Sequence, residues 1–146
     1  MAFEKNQEVL VTVRGLQFQD GEDDNIEIVT RGRYYKRADK RYLFYEEEGE
    51  QPWERVKNLV EVGRTHVDVI KKGMIETRLS FEEGQKLYSI YKTPFGRMEI
   101  GVFTEKLDVR DAPGGMDLTI NYRLEVNNQH MSDNSIRIQA NAMAAN

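Results

Sequence analysis

The sequence predicts an all-β chain: a single antiparallel meander closing into a barrel of about 8 to 10 strands. Two observations carry this. Apolar and polar residues alternate with period 2 from one end of the chain to the other, and turn-forming residues recur every 8 to 15 positions or so. A third is negative: no segment carries the apolar spacing of a long amphipathic helix. Closure follows from the number of strands, because an open sheet of that width would leave two long unpaired edges.

The elements follow in chain order. Val9, Val11 and Val13 alternate with Leu10 and Thr12, and after Gly15 come Leu16 and Phe18. Ile26, Ile28, Thr30, Gly32 and Tyr34 share a face, opposite Glu27, Val29, Arg31, Arg33 and Tyr35. Residues 41–46 are rich in aromatics, and the only tryptophan, Trp53, suggests one short helical turn between residues 50 and 60. Residues 59–70 hold two valine-rich pieces with a break near Gly63. Ile75, Thr77, Leu79 and Phe81 then oppose Met74, Glu76, Arg78 and Ser80. Leu87, Ser89 and Tyr91 oppose Tyr88, Ile90 and Lys92, and Met98, Ile100, Val102 and Thr104 oppose Glu99, Gly101, Phe103 and Glu105. The clearest strand has Leu118, Ile120, Tyr122, Leu124 and Val126 on one face, with Asp117, Thr119, Asn121, Arg123 and Glu125 on the other. Ile136, Ile138 and Ala140 close the series. Between the runs fall Asp20-Gly21, Glu48-Gly49, Lys72-Gly73, Glu83-Gly84, Pro94-Phe95-Gly96, Pro113-Gly114-Gly115 and Asn127-Asn128. Each tolerates positive φ, presets φ, or bonds its own backbone. The expected ordered core is residues 8–140 of one domain spanning 1–146, with a frayed tail from residue 141.

Composition removes several function classes. The chain has 146 residues, enough for one core without staples, and no cysteine, so disulfides and thiolate metal sites are excluded. No apolar run is long enough for a membrane helix, and residues 1–8 lack the core of a signal peptide. A cytoplasmic protein is the expectation. The net charge of −4, from 21 basic and 25 acidic residues interspersed, argues against nucleic acid and anionic lipid as partners.

Several segments together resemble the YwiB-like family of uncharacterised bacterial proteins. They are Ile26-Glu27-Ile28-Val29-Thr30-Arg31-Gly32-Arg33-Tyr34-Tyr35 with Tyr42-Leu43-Phe44-Tyr45-Glu46-Glu47, then Val56-Lys57-Asn58-Leu59-Val60-Glu61-Val62 with Val67-Asp68-Val69-Ile70-Lys71-Lys72-Gly73, then Tyr91-Lys92-Thr93-Pro94-Phe95-Gly96, and Gly115 leading into Tyr122-Arg123-Leu124. The resemblance covers residues 8–140 and implies a calycin-like, lipocalin-like barrel, but no activity and no catalytic residues. The lipocalin Gly-x-Trp signature is absent, since the first strand carries Gly15-Leu16-Gln17.

Candidate chemistry is sparse. His66 and Asp68, two apart, share a strand face; the simpler reading puts them on the solvent side opposite Val67 and Val69. His130 reads as a loop residue. The acidic turn at residues 20–25 lacks EF-hand spacing and reads as a solvated hairpin. The basic run of residues 31–41, interleaved with Tyr34, Tyr35 and Tyr42, has the ingredients of a single-strand nucleic-acid platform. The glutamates at 46, 47, 48 and 50 are placed to neutralise it across a hairpin. Glu76 and Arg78 are candidates to fix an anionic head group if they point inward; otherwise they form an exposed pair. Tyr34, Tyr91 and Tyr122, on faces read as inward, are candidates either to line a cavity or to fill a core. No nucleophile elbow, Walker loop or dinucleotide fingerprint is present, and nothing implies a cofactor. The leading expectation is a non-enzymatic barrel that takes a small, partly apolar ligand through contacts from Tyr34, Glu76, Arg78, Tyr91 and Tyr122. The alternative is a filled barrel that assembles with partners, or with itself, through an edge strand.

Overall fold

The computed structural model describes residues 6–19 and 22–143, with side chains described outside residues 16–26. Ten strands follow in order: β1 (Gln7–Gln19), β2 (Glu22–Arg37), β3 (Lys40–Glu47), β4 (Val56–Val62), β5 (His66–Gly73), β6 (Thr77–Glu82), β7 (Lys86–Thr93), β8 (Gly96–Ala112), β9 (Gly115–Val126) and β10 (Gln129–Ala142). A single 3-10 turn, Pro52–Glu54, carries Trp53 between β3 and β4. All pairings are antiparallel, and the sheet order is β6-β5-β4-β3-β2-β1-β10-β9-β8-β7. The first and last strands therefore meet in the middle of the sheet, with Val9 opposite Ala142 and Phe18 opposite Asp133. The sheet curls until its two edges, β6 and β7, meet. There Glu76 and Lys92 exchange backbone hydrogen bonds of 3.0 and 2.9 Å, and Thr77 Oγ1 donates to the Ile90 carbonyl at 3.0 Å. The barrel is nearly closed, and this seam is its thinnest join.

The meander places its connections alternately at two ends. At the end that carries turns 38–39, 63–65, 83–85 and 113–114, the interior is filled. Val9, Val11, Leu43, Val60, Met116 and Leu118 are fully buried there, each on the inward face of its strand. Tight turns at this end require unusual backbone, as at Ala38 and Gly114, with φ of +54° and +66°.

The alternation reads the inward faces of the described strands correctly, and several expectations need correction. β8 runs well past Glu105, because a bulge between Thr104 and Lys106 resets the parity so that Leu107 and Val109 pack inward. His130 lies on β10 rather than in a loop: Asn127 and Asn128, with φ of +50° and +67°, make the whole turn, and a second bulge follows between His130 and Ser132. Asn141 and Ala142 are paired with Leu10 and Val9 instead of frayed. Finally, the ion pairs described for the acidic run are made outside the basic one. Glu46 and Glu48 approach Arg55 at 3.6 and 3.7 Å, while Arg31 meets Glu8 at 3.6 Å and Arg41 meets Asp111. Residues 20 and 21 and the side chains of residues 16–26 lie outside what is described, while the backbone of residues 22–25, read from the sequence as part of an acidic loop, belongs to β2 and pairs with β1.

Candidate functional site

At the other end of the barrel, ringed by the connections 48–55, 74–76, 94–95 and 127–128, the described side chains leave the interior open. A cavity of about 420 Å³ opens between the strands, within the range of small-molecule sites. Aliphatic and aromatic side chains share its lining. Val13, Ile28, Val69, Leu79, Leu124 and Ile136 form an apolar wall, and Gly15 contributes no side chain. Phe81, only 2% exposed, packs edge-on against Tyr122 with ring centroids 5.1 Å apart and so braces that wall.

Three tyrosines face this space: Tyr45 from β3, Tyr91 from β7 and Tyr122 from β9. Among the described residues, no hydrogen bond reaches any of their hydroxyls. Burial pushes the Tyr122 phenol up from its ordinary value of 10.0 to about 12, with neighbouring Tyr91 adding to the effect. The Tyr45 and Tyr91 phenols are raised as well, first by burial and then by the negative charge of Glu47. All three are therefore neutral groups at physiological pH, each able to donate and accept.

The charged part of the lining, Glu47 on β3 and Lys71 on β5, is joined by Asn58 on the intervening β4. The inward parity of Leu43 and Tyr45 continues to Glu47, that of Val60 to Asn58, and that of Val67 and Val69 to Lys71. Lys71 Nζ donates to Asn58 Oδ1 at 2.8 Å and to Glu47 Oε2 at 3.3 Å, and Asn58 Nδ2 donates to the same Glu47 oxygen at 3.3 Å. Asn58 is 2% exposed, so its amide is held by these contacts and not by bulk water.

Of the residues singled out from the sequence, Tyr91 and Tyr122 share this cavity. Tyr34 faces inward but is buried in the packed core, away from the cavity lining. Arg78 and Glu76 require correction as inward candidates, because both lie on the outer face of the barrel. Strand parity dictates this, since Thr77, Leu79 and Phe81 take the interior. Outside, Arg78 donates to Asp68 Oδ2 at 2.9 Å and approaches Glu61 at 3.8 Å. Asp68 also accepts hydrogen bonds from Ser80 Oγ and from His66 Nε2, the latter at 2.9 Å. His66 and Asp68 share the outer face as expected, yet Asp68 is buried, at 7% exposure, beneath its partners. No group of three or more metal-ligating side chains occurs among the described residues.

Tyr45, Glu47, Asn58 and Lys71 escape a reading of the sequence for functional residues. Each sits within two residues of a strand end, in a stretch whose composition does not single it out as part of an interior. Extending the inward parity of each strand to its last residue is the signal that would find them.

The sequence profile of a family described as "Domain of unknown function (DUF1934)" matches residues 11–138. A relative from Bacillus subtilis (strain 168), "Uncharacterized beta-barrel protein YwiB", is 27% identical over 138 residues, covering 93% of this chain and 96% of that protein. The solved structure "Crystal structure of ywiB protein from Bacillus subtilis" superposes with a TM-score of 0.86 at 24% identity, over 98% of this chain and 96% of that one. These similarities supply a fold and a lineage with bacterial homologues, and no ligand or role.

Proposed function

The chain belongs to the DUF1934 family, whose description assigns no role, and from that premise we propose that it is a binding barrel for a small, partly apolar molecule held in the cavity between β3, β5, β7 and β9. The observation that supports this reading is the pairing of an apolar cavity of about 420 Å³ with three inward phenols whose hydroxyls meet no partner among the described residues. An apolar wall supplies affinity through buried surface, at roughly 25 cal/mol per Å². Unpartnered hydroxyls supply orientation, since each is paired at little cost by a ligand group in the right place. A core whose only task is packing has no use for three polar tips facing an unfilled space.

The test is thermal unfolding across a panel of small amphiphiles. A compound at 100 times its dissociation constant is expected to add about 2.7 kcal/mol. Leu124→Trp, which extends a cavity wall into the space, is expected to abolish that gain while the protein still unfolds cooperatively. A panel without a single shift, or equal shifts in the filled variant, defeats the proposal.

A further inference from the structure

We infer that the cavity selects an uncharged amphiphile with a hydrogen-bonding head, such as an alcohol or a primary amide, and discriminates against fatty-acid carboxylates and alkylammonium ions. This inference rests on the binding role proposed above. Glu47 and Lys71 are the only charged side chains among the described residues of the lining, and they neutralise each other at 3.3 Å. Their side chains are only 26% and 18% exposed, so water screens them poorly. A ligand carboxylate would place two anions around one ammonium that is already bonded to Glu47 and Asn58. An alkylammonium would place two cations around one carboxylate. Either leaves a net charge beside an apolar wall, which is costly.

A neutral head meets no such cost. The described contacts of Glu47 all fall on Oε2, leaving Oε1 as an acceptor. Tyr45 and Tyr91 line the same cavity as Glu47, and their neutral phenols can donate. An alcohol can then donate to Glu47 Oε1 and accept from a phenol, so that these polar groups have partners.

The experiment measures binding of decanol, decanoate and decylammonium to the full chain at pH 8 by calorimetric titration, the shared tail leaving the head as the only variable. Decanol is expected to bind at least about 10-fold more tightly than either ion. Glu47→Gln, which leaves Lys71 without its counter-charge, is expected to move the preference toward decanoate by about 10-fold or more. Lys71→Met should do the same for decylammonium, and each variant is checked for cooperative unfolding. Decanoate binding the unaltered protein as tightly as decanol overturns the inference and leaves the binding role standing. If none of the three binds while other small molecules raise the melting temperature, the inference falls alone; if nothing binds at all, the binding role falls with it.

Discussion

Asp68 shows how one side chain can be buried on the outside of a barrel. Burial works against its charge, but hydrogen bonds from Ser80, Arg78 and His66 outweigh it and hold the carboxyl below its ordinary value of 3.8. A group whose folded value is depressed stabilises the fold above its unfolded value, and that contribution is lost as pH falls through the folded value. Resistance to urea should therefore fall below about pH 4, and Asp68→Asn should flatten this acid dependence while costing about 1–3 kcal/mol at pH 7. Thr104 makes the opposite case. It is fully buried, and its Oγ1 has no hydrogen-bond partner. Thr104→Val keeps the shape and removes the unpaired hydroxyl, so it is expected to stabilise by about 1 kcal/mol in the same assay.

At the scale of the strand, two glycines separate steric need from chance. A Cβ on Gly115 would sit 1.9 Å from the Ala140 carbonyl oxygen, where β9 crosses close to β10. One on Gly15 would meet nothing within 4 Å. Gly115→Ala is expected to cost about 3 kcal/mol, and Gly15→Ala to be neutral or stabilising by up to about 1 kcal/mol, both read from denaturation midpoints. Strands were legible in the sequence wherever one face is buried, because the pleat turns burial into strict alternation, as from Leu118 to Val126. Legibility failed where the pleat is interrupted. The bulge after Thr104 shifts Leu107 and Val109 onto the parity that a regular strand would give to solvent, and the bulge after His130 hides the start of β10. The candidate site was half legible for a related reason. Tyr91 and Tyr122 lie within strongly alternating runs. Glu47 ends β3 and Lys71 lies near the end of β5, and a charged residue there reads as solvated unless the depth of the barrel is known.

For the whole molecule, the sequence could announce a closed meander but not where it closes. Turn spacing counts strands without saying which pair forms the join. The structure puts the strong, continuous ladder between β1 and β10, and the weak seam between β6 and β7, which are neighbours along the chain. The cavity lies beside that seam, since Leu79 and Tyr91 line it from either side.

The meeting of the first and last strands has a topological consequence. Gln7 and Ala142 stand at the same end of the barrel, and the Met143 amide donates to the Glu8 carbonyl at 3.4 Å. The polypeptide is thus a ring in all but one covalent link. Splicing residue 143 to residue 6 through a short glycine-serine tether, and cutting between Glu82 and Glu83, yields a circular permutant in which strand order along the chain equals strand order in the sheet. Its most distant pairing becomes a neighbouring one, so stopped-flow refolding is expected to run faster than in the parent, with decanol affinity unchanged.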